Sequence, residues 1–194
     1  FAQYVQTRDR FHDIMFIAPD GYMFYSAAKE ADYQTNMLTG EYKDSGLSTL
    51  VRQVLETRAF GSVDFTSYQP SGGIPAFFMG APIMLDDEVA FVAAVELGVK
   101  RLNDIMQSPE GMGETGETYL VGPDNRMRSD SRLSEAHSVE ASLEGSVEDY
   151  GVDTASTKAA LDGENGVQVI EDYRGQEVLS AYVPVDALGL NWAA

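Results

Sequence analysis

Leu47, Leu50, Val51, Val54 and Leu55 recur at i, i+3, i+4, i+7 and i+8, the spacing that gathers apolar side chains on one face of an α-helix. Asp44 or Ser45 stands where an N-cap belongs, and the pattern stops near Arg58, before Gly61, so a helix is predicted over this stretch. Elsewhere in the first hundred residues the apolar positions come in short runs. Asp13 to Ala18 and Tyr22 to Ser26 flank the turn Pro19-Asp20-Gly21 and predict a β-hairpin. Ser62 to Tyr68, Ala76 to Leu85 and Val89 to Leu97 predict three more strands, separated by Gln69-Pro70-Ser71-Gly72-Gly73 and by the acidic turn at Asp86-Asp87. At the start of the chain, Phe1, Tyr4 and Val5 stand at helical spacing with Arg8 and Arg10 outward, which predicts the end of an amphipathic helix over residues 1–12.

The order then returns in shorter form. Phe16 to Met23 aligns with Tyr119 to Met127, and Ala81-Pro82-Ile83 aligns with Val183-Pro184-Val185. The intervals Pro19 to Pro82 and Pro123 to Pro184 are therefore 63 and 61 residues, and near-equal spacing suggests two copies of one module. In the second copy Tyr119 to Val121 reads as a strand and Thr154 to Leu161 as a short helix. Val167 to Glu171 and Glu177 to Val185 read as strands hinged at Tyr173-Arg174-Gly175. Gln107 to Thr115 reads as the linker, giving modules over 13–107 and 108–194. Antiparallel hairpins with helices on a sheet face, rather than alternating βαβ units, imply an α+β fold.

Charge narrows the function. Thirteen Lys and Arg against 31 Asp and Glu leave a formal charge of −18, which repels phosphate backbones and anionic headgroups and argues against a nucleic-acid partner. The excess is uneven, with 8 basic and 14 acidic side chains in residues 1–107 against 5 and 17 in 108–194. The absence of cysteine removes disulfides, thiol catalysis and Cys-ligated zinc. The longest apolar stretches fall short of the roughly 20 residues that a membrane-spanning helix needs.

Several motifs have a plain reading beside a chemical one. Gly111-Met112-Gly113-Glu114-Thr115-Gly116 spells G-x-G-x-x-G, but it opens a strand instead of following one and sits among glutamates that repel phosphate. Ser26-Ala27-Ala28-Lys29 matches the S-x-x-K of serine acyl-transferases, yet no K-T-G follows, so the pair is expected to close a strand and begin a loop. His12 and His137 lie in different modules without ligand spacing, and are expected at the surface with no metal or general-base role. Asp86-Asp87-Glu88 reads as a solvated hairpin tip. Arg126, Arg128, Asp130 and Arg132 alternate along one extended face, as an internal ion-pair network or, less favoured, as an anion clamp.

One constellation suits a small polar ligand. Tyr25, Lys29, Asp32, Tyr42, Asp64 and Tyr68 place aromatic faces and both charge signs around the Leu47 to Leu55 helix, which is what a water-excluding, orienting pocket requires. The alternative is a set of half-buried core tyrosines with wet hydroxyls. Arg52, on the helix itself, and Phe77 complete the candidate ligand-binding set. No cofactor, metal or catalytic residue is expected.

Gly113-Glu114-Thr115-Gly116-Glu117-Thr118-Tyr119-Leu120-Val121-Gly122, followed by Met127-Arg128-Ser129-Asp130-Ser131-Arg132, resembles the membrane-proximal module of double Cache sensor domains of bacterial chemoreceptors, sensor histidine kinases and nucleotide cyclases. Tyr25 to Glu30, Asp44 to Leu47, Tyr68 to Ser71 and Leu190-Asn191-Trp192 are similar to the same group. The resemblance implies two tandem PAS-like modules on a long N-terminal stalk helix, held outside the cytoplasmic membrane by flanking spans. In the family the membrane-distal module holds the ligand, by position residues 13–107 here. The Tyr, Arg, Trp and Asp pattern of the amino-acid-binding subgroup is not recognisable around the helix.

The expectation is a non-catalytic, extracytoplasmic (periplasmic) ligand-sensing domain of a transmembrane receptor, a chemotaxis protein or a sensor kinase. It would dimerise through its N-terminal helix and bind an amino acid, organic acid or similar solute in the distal module. The alternative is an interaction module that senses through a soluble binding protein and has no small-molecule pocket.

Overall fold

The computed structural model describes residues 11–194. The stalk helix expected over residues 1–12 falls almost wholly outside them. The chain divides into two compact units, one reaching to Gly98 and the other beginning at Val99.

The first unit is built on five antiparallel strands: β1 (Asp13–Ile17), β2 (Met23–Ser26), β3 (Gly61–Ser67), β4 (Pro75–Leu85) and β5 (Glu88–Gly98), in the order β2-β1-β5-β4-β3. The predicted hairpins are all present. The β4–β5 turn places Asp86 and Asp87 at φ 49° and 64°, as a two-residue turn that follows strand twist demands. Both side chains are exposed, so the acidic tip is solvated.

Helix α1 (Gly46–Thr57) packs its apolar face on the sheet. Met15, Ile17, Met23, Met37, Leu47, Leu50, Val51, Val54, Tyr68, Phe78 and Val92 form one fully buried cluster. A Cβ at Gly46 would stand 2.6 Å from Thr66 Oγ1 and 3.2 Å from the Phe78 ring, so only glycine lets the helix start so close to the sheet. Ser45 is the N-cap, its hydroxyl accepting from the Ser48 N–H at 3.2 Å. Ser45→Ala is expected to cost about 1 kcal/mol of stability in urea unfolding.

The second unit is α+β without a large sheet. It holds α2 (Lys100–Met106), α3 (Val139–Glu144), α4 (Val147–Tyr150) and α5 (Ala155–Leu161), with the hairpins β6 (Gly166–Glu171)–β7 (Glu177–Tyr182) and β8 (Pro184–Ala187)–β9 (Leu190–Ala193). Three expectations are corrected here. Tyr119 to Val121 makes no strand: Val121 forms isolated bridges to Met127 and Ala193. The strand expected over Glu177 to Val185 breaks between Tyr182 and Pro184, since proline offers no N–H to continue a ladder.

The third correction concerns the arginines, which do not form a network with Asp130. Arg126 donates to Gly145 O at 3.0 Å, and Arg132 donates to Gly113 O and Gly116 O. Asp130 accepts instead from Asn103 and from the Val139 N–H. Arg128, 3% exposed, pairs with Asp124 at 2.9 Å. A Cβ at Gly122 would lie 2.2 Å from the Arg128 guanidinium, so a residue without a side chain is what admits that buried cation.

In the β6–β7 turn the Asp172 carboxylate accepts from the N–H groups of Arg174 and Gln176 and from the Arg174 guanidinium at 2.8 Å. Burial alone would raise its pKa, but these donors hold it below the ordinary carboxylate range. Asp172 therefore stabilises the fold fully above the unfolded value of about 3.9, and loses that contribution as pH falls through the lower folded value. The stability gap between wild type and Asp172→Asn is expected to be larger at pH 5 than at pH 3 in urea titrations.

Candidate ligand site

In β1 the inward positions are Asp13, Met15 and Ile17; in β5 they are Val92, Ala94 and Glu96. Antiparallel register sets Asp13 directly opposite Glu96. Two acids therefore sit where an apolar strand would carry aliphatic residues, at 1% and 3% exposure.

The two are solvated by the protein very differently. Asp13 Oδ1 accepts from the N–H groups of Ile14, Ala27 and Ala28 at 2.6, 2.8 and 2.9 Å, and Oδ2 accepts from the Ser26 hydroxyl at 2.6 Å. Four donors compensate one buried charge. They also explain the S-x-x-K tetrapeptide. Ser26 is fully buried with its hydrogen committed to Asp13, its oxygen accepts from the Lys29 N–H, and the Lys29 ammonium lies 5.9 Å from the Tyr33 ring. The expectation that this pair closes a strand and opens a loop holds.

The loop anchored in this way carries Glu30 and Asp32. Asp32 is 1% exposed; its Oδ2 accepts a short hydrogen bond from the Tyr68 hydroxyl, while Oδ1 has no partner among the described residues. Burial pushes the Asp32 pKa up, opposed by the Tyr68 hydroxyl. Burial and the adjacent Asp32 drive the Tyr68 phenol upward too, so it stays a proton donor. Tyr68 packs edge-on against Phe78, with ring centroids 4.8 Å apart. It also begins the 3₁₀ turn Gln69–Ser71, which delivers Ser71 to Glu30 and Glu96.

Glu96 is pushed up to about 7, by burial first, with the positive His12 and the Ser71 hydroxyl opposing. His12 is half-exposed and bonds Glu30 through Nε2 at 2.8 Å. Burial lowers its pKa, but the hydrogen bond to Glu30 and the charges of Glu96, Glu30 and Asp13 outweigh this and raise it.

Of the eight residues singled out from sequence, Asp32 and Tyr68 are brought into direct contact. Tyr42 is half-buried against the core, within reach of the Asp32 charge. Tyr25 stacks on Phe16 at 4.9 Å. Arg52 is exposed and donates to Leu38 O at 2.7 Å. Asp64 accepts from the Phe65 N–H, and Phe77, 4% exposed, packs against Phe65. Lys29 is turned to solvent over Tyr33.

A cleft of about 510 Å³ lies in the second unit, lined by Glu117, Tyr119, Tyr173, Arg174 and Tyr182 among others. Its polar groups largely satisfy one another: Glu117 accepts from Ser131, from the Arg132 N–H and from the Tyr173 hydroxyl.

The fold is similar to that of extracellular and ligand-binding domains of histidine kinases and amino acid chemoreceptors. Over 99% of its length it matches the extracellular domain of a protein designated as a histidine kinase, mmHK1S-Z2, covering 77% of that chain at 18% identity with a TM-score of 0.61. It likewise matches the ligand-binding domain of the Pseudomonas aeruginosa PAO1 amino acid chemoreceptor PctC in complex with GABA, with 95% and 73% of the two chains covered, 17% identity and a TM-score of 0.62. The PctB ligand-binding domain from the same organism, in complex with L-Arg, matches over 98% of this chain and 71% of its own, at 14% identity and a TM-score of 0.60. No family model matches the sequence, and no curated protein matches it. Among the described residues no helix is long and apolar enough to cross a membrane.

Proposed function

We propose that the chain is the extracytoplasmic, non-catalytic ligand-sensing domain of a transmembrane signalling receptor of the chemoreceptor or sensor-kinase type, and a double Cache protein. In this reading residues 13–107 are the membrane-distal module, residues 108–194 the membrane-proximal one, and the segment before them the end of a stalk helix through which two copies pair. A small polar solute binds in the distal module around Asp32 and Tyr68, with Tyr25, Lys29, Tyr42, Arg52, Asp64 and Phe77 supplying its surroundings.

The observation that carries the proposal is Oδ1 of Asp32, which has no partner among the described residues. A buried carboxylate with one oxygen unpaired is costly in the ligand-free protein, and the cost is recovered when a donor arrives. The acids around it favour a solute that bears a positive group. Such a solute would bias the module between two packings through its unequal affinity for them.

The test is a thermal-shift screen of amino acids, amines, polyamines, organic acids and nucleobases, in EDTA, on wild type and Asp32→Asn. A cationic solute is expected to stabilise the wild type, by about 2.7 kcal/mol at a hundredfold excess over Kd, and to leave Asp32→Asn unmoved. Silence across the screen, or an equal response from the variant, would overturn the reading. One observation favours sensing through a soluble binding protein instead: on the β6–β7 hairpin Val167, Val169 and Leu179, the last directly opposite Val169, are 66, 61 and 74% exposed.

A further inference from the structure

His12 precedes β1, Glu30 follows β2 and Glu96 lies near the end of β5, and the sheet draws these distant residues together. His12 Nε2 and one carboxylate oxygen from each glutamate all lie within 4.8 Å of one another. The arrangement is pinned from the backbone, where the His12 N–H donates to Glu96 O at 2.8 Å. Imidazole nitrogen and carboxylate oxygen are the ligand types that zinc-class divalent ions accept, and three protein ligands leave a coordination position open.

An independent observation is the hydrogen count at Ser71. Its Oγ stands 2.6 Å from Glu30 Oε2 and 3.0 Å from Glu96 Oε1. One hydroxyl carries one hydrogen, so it can donate to only one of these carboxylates. It is also the sole hydrogen-bond donor that the described residues offer to Glu96, whose side chain is almost wholly buried. Whenever Ser71 turns to the nearer Glu30, an anionic Glu96 is left without a donor. The surrounding charge deepens the deficit. Asp13 and Glu30 both act on Glu96, and none of these acids makes an ion pair with a described lysine or arginine, His12 being the one basic partner. A buried anion needs a cation or a set of donors; Asp13 has four donors, whereas Glu96 shares a single hydroxyl with Glu30.

We propose that His12, Glu30 and Glu96 form a binding site for a divalent metal ion of the zinc class, with the fourth position held by water. The ion sits where the His12–Glu30 hydrogen bond now runs and supplies the positive charge that Glu96 lacks. Ligation requires neutral imidazole and ionised carboxylates, so any proton held among the three groups leaves as the ion binds. Tetrahedral zinc sets its ligand atoms about 3.4 Å apart, so the three atoms close by small side-chain rotations. The site does not use Asp32 or Tyr68 and stands whether or not a solute binds there.

The experiment is a titration of the metal-stripped domain with zinc chloride, read by calorimetry and by competition with a chromophoric chelator. The expected result is saturation at one ion per chain, with an upward shift in melting temperature. His12→Ala and Glu96→Gln are each expected to weaken binding more than tenfold, whereas His137→Ala and Asp32→Asn leave it unchanged. Should Glu96→Gln fail to fold, Glu30→Gln replaces it, and X-ray absorption of the zinc-loaded wild type reports whether one imidazole is in the shell. No saturable binding, retention of full affinity by His12→Ala, or a shell of oxygens alone would overturn the proposal. Calcium bound equally well by wild type and His12→Ala would do so too, marking the cluster as a mere acidic surface. Loss of solute binding in Asp32→Asn with zinc binding intact separates this site from the solute reading.

Discussion

Tyr68→Phe is expected to lower the free energy of unfolding by about 3 kcal/mol, well beyond the cost of deleting an ordinary hydroxyl. Among the described residues Tyr68 is the one side chain that hydrogen-bonds the Asp32 carboxylate, and the other carboxylate oxygen has no partner there. Without the phenol, a charge at 1% exposure stands unsupported. Asp32→Asn should behave in the opposite way. Burial raises the Asp32 pKa, and an acid whose folded pKa exceeds its unfolded one opposes stability once the pH is above the unfolded value of about 3.9. At pH 7 the amide is expected to be neutral or stabilising in the ligand-free domain. In its background, Tyr68→Phe should cost only about 1 kcal/mol. The coupling between the two changes, about 2 kcal/mol in a double-mutant cycle from urea unfolding, is the measured quantity. Equal costs in both backgrounds would mean that the phenol does not serve the carboxylate. A residue whose removal strengthens the fold while abolishing solute binding is the mark of a site kept for function.

Phe78→Ala is expected to cost about 4 kcal/mol, near the upper end for a core truncation. Phe78 is fully buried in the middle of the sheet. One edge meets Tyr68, and its ring carbons lie 3.2 and 3.3 Å from where a Cβ on Gly46 would stand. Helix α1 and the Tyr68 end of β3 are thus packed against one ring. The backbone on either side is fixed in a sheet and a helix, which limits collapse into the space left behind, so the cavity persists. Phe78→Leu should cost about 1 to 1.5 kcal/mol, because most of the volume remains. Denaturant midpoints at unchanged m-value would check both figures. A cost for Phe78→Ala near that of Phe78→Leu would show that the site repacks.

The elements that sequence made legible are those whose residues repeat. The i, i+3, i+4 series from Leu47 to Leu55 gave α1 within two residues, and the runs around Pro19-Asp20-Gly21 and Asp86-Asp87 gave the strands and hairpins of the first unit. The second unit was harder to read because its structure rests on single contacts. Helices α3 and α4 span six and four residues, too short for a periodic face, and their starts are fixed by the hydroxyls of Ser138 and Ser146. Val121 is held extended by two isolated bridges, to Met127 and to Ala193, the latter 72 positions away.

The site divides in the same way. Asp32 and Tyr68 stood out as polar and aromatic residues at loop and strand ends, but their contact spans 36 residues and could not be seen. Asp13, Glu30, Ser71 and Glu96 are each unremarkable among their own neighbours and do not stand out as candidates, and His12 is set aside for want of ligand spacing. A local signal did exist: Asp13 and Glu96 occupy the inward parity of their strands, in step with Met15, Ile17, Val92 and Ala94. An acid out of place in an apolar alternation asks for a partner, and the β1–β5 register alone names it.

Asp13 begins β1 and, through Ser26, Ala27 and Ala28, also holds the root of the loop that bears Glu30 and Asp32. The strand and the loop are thereby geared together through a single side chain. A pull on the loop from whatever occupies it has a direct mechanical route into the strand, and a push along the strand reaches the loop by the same tooth.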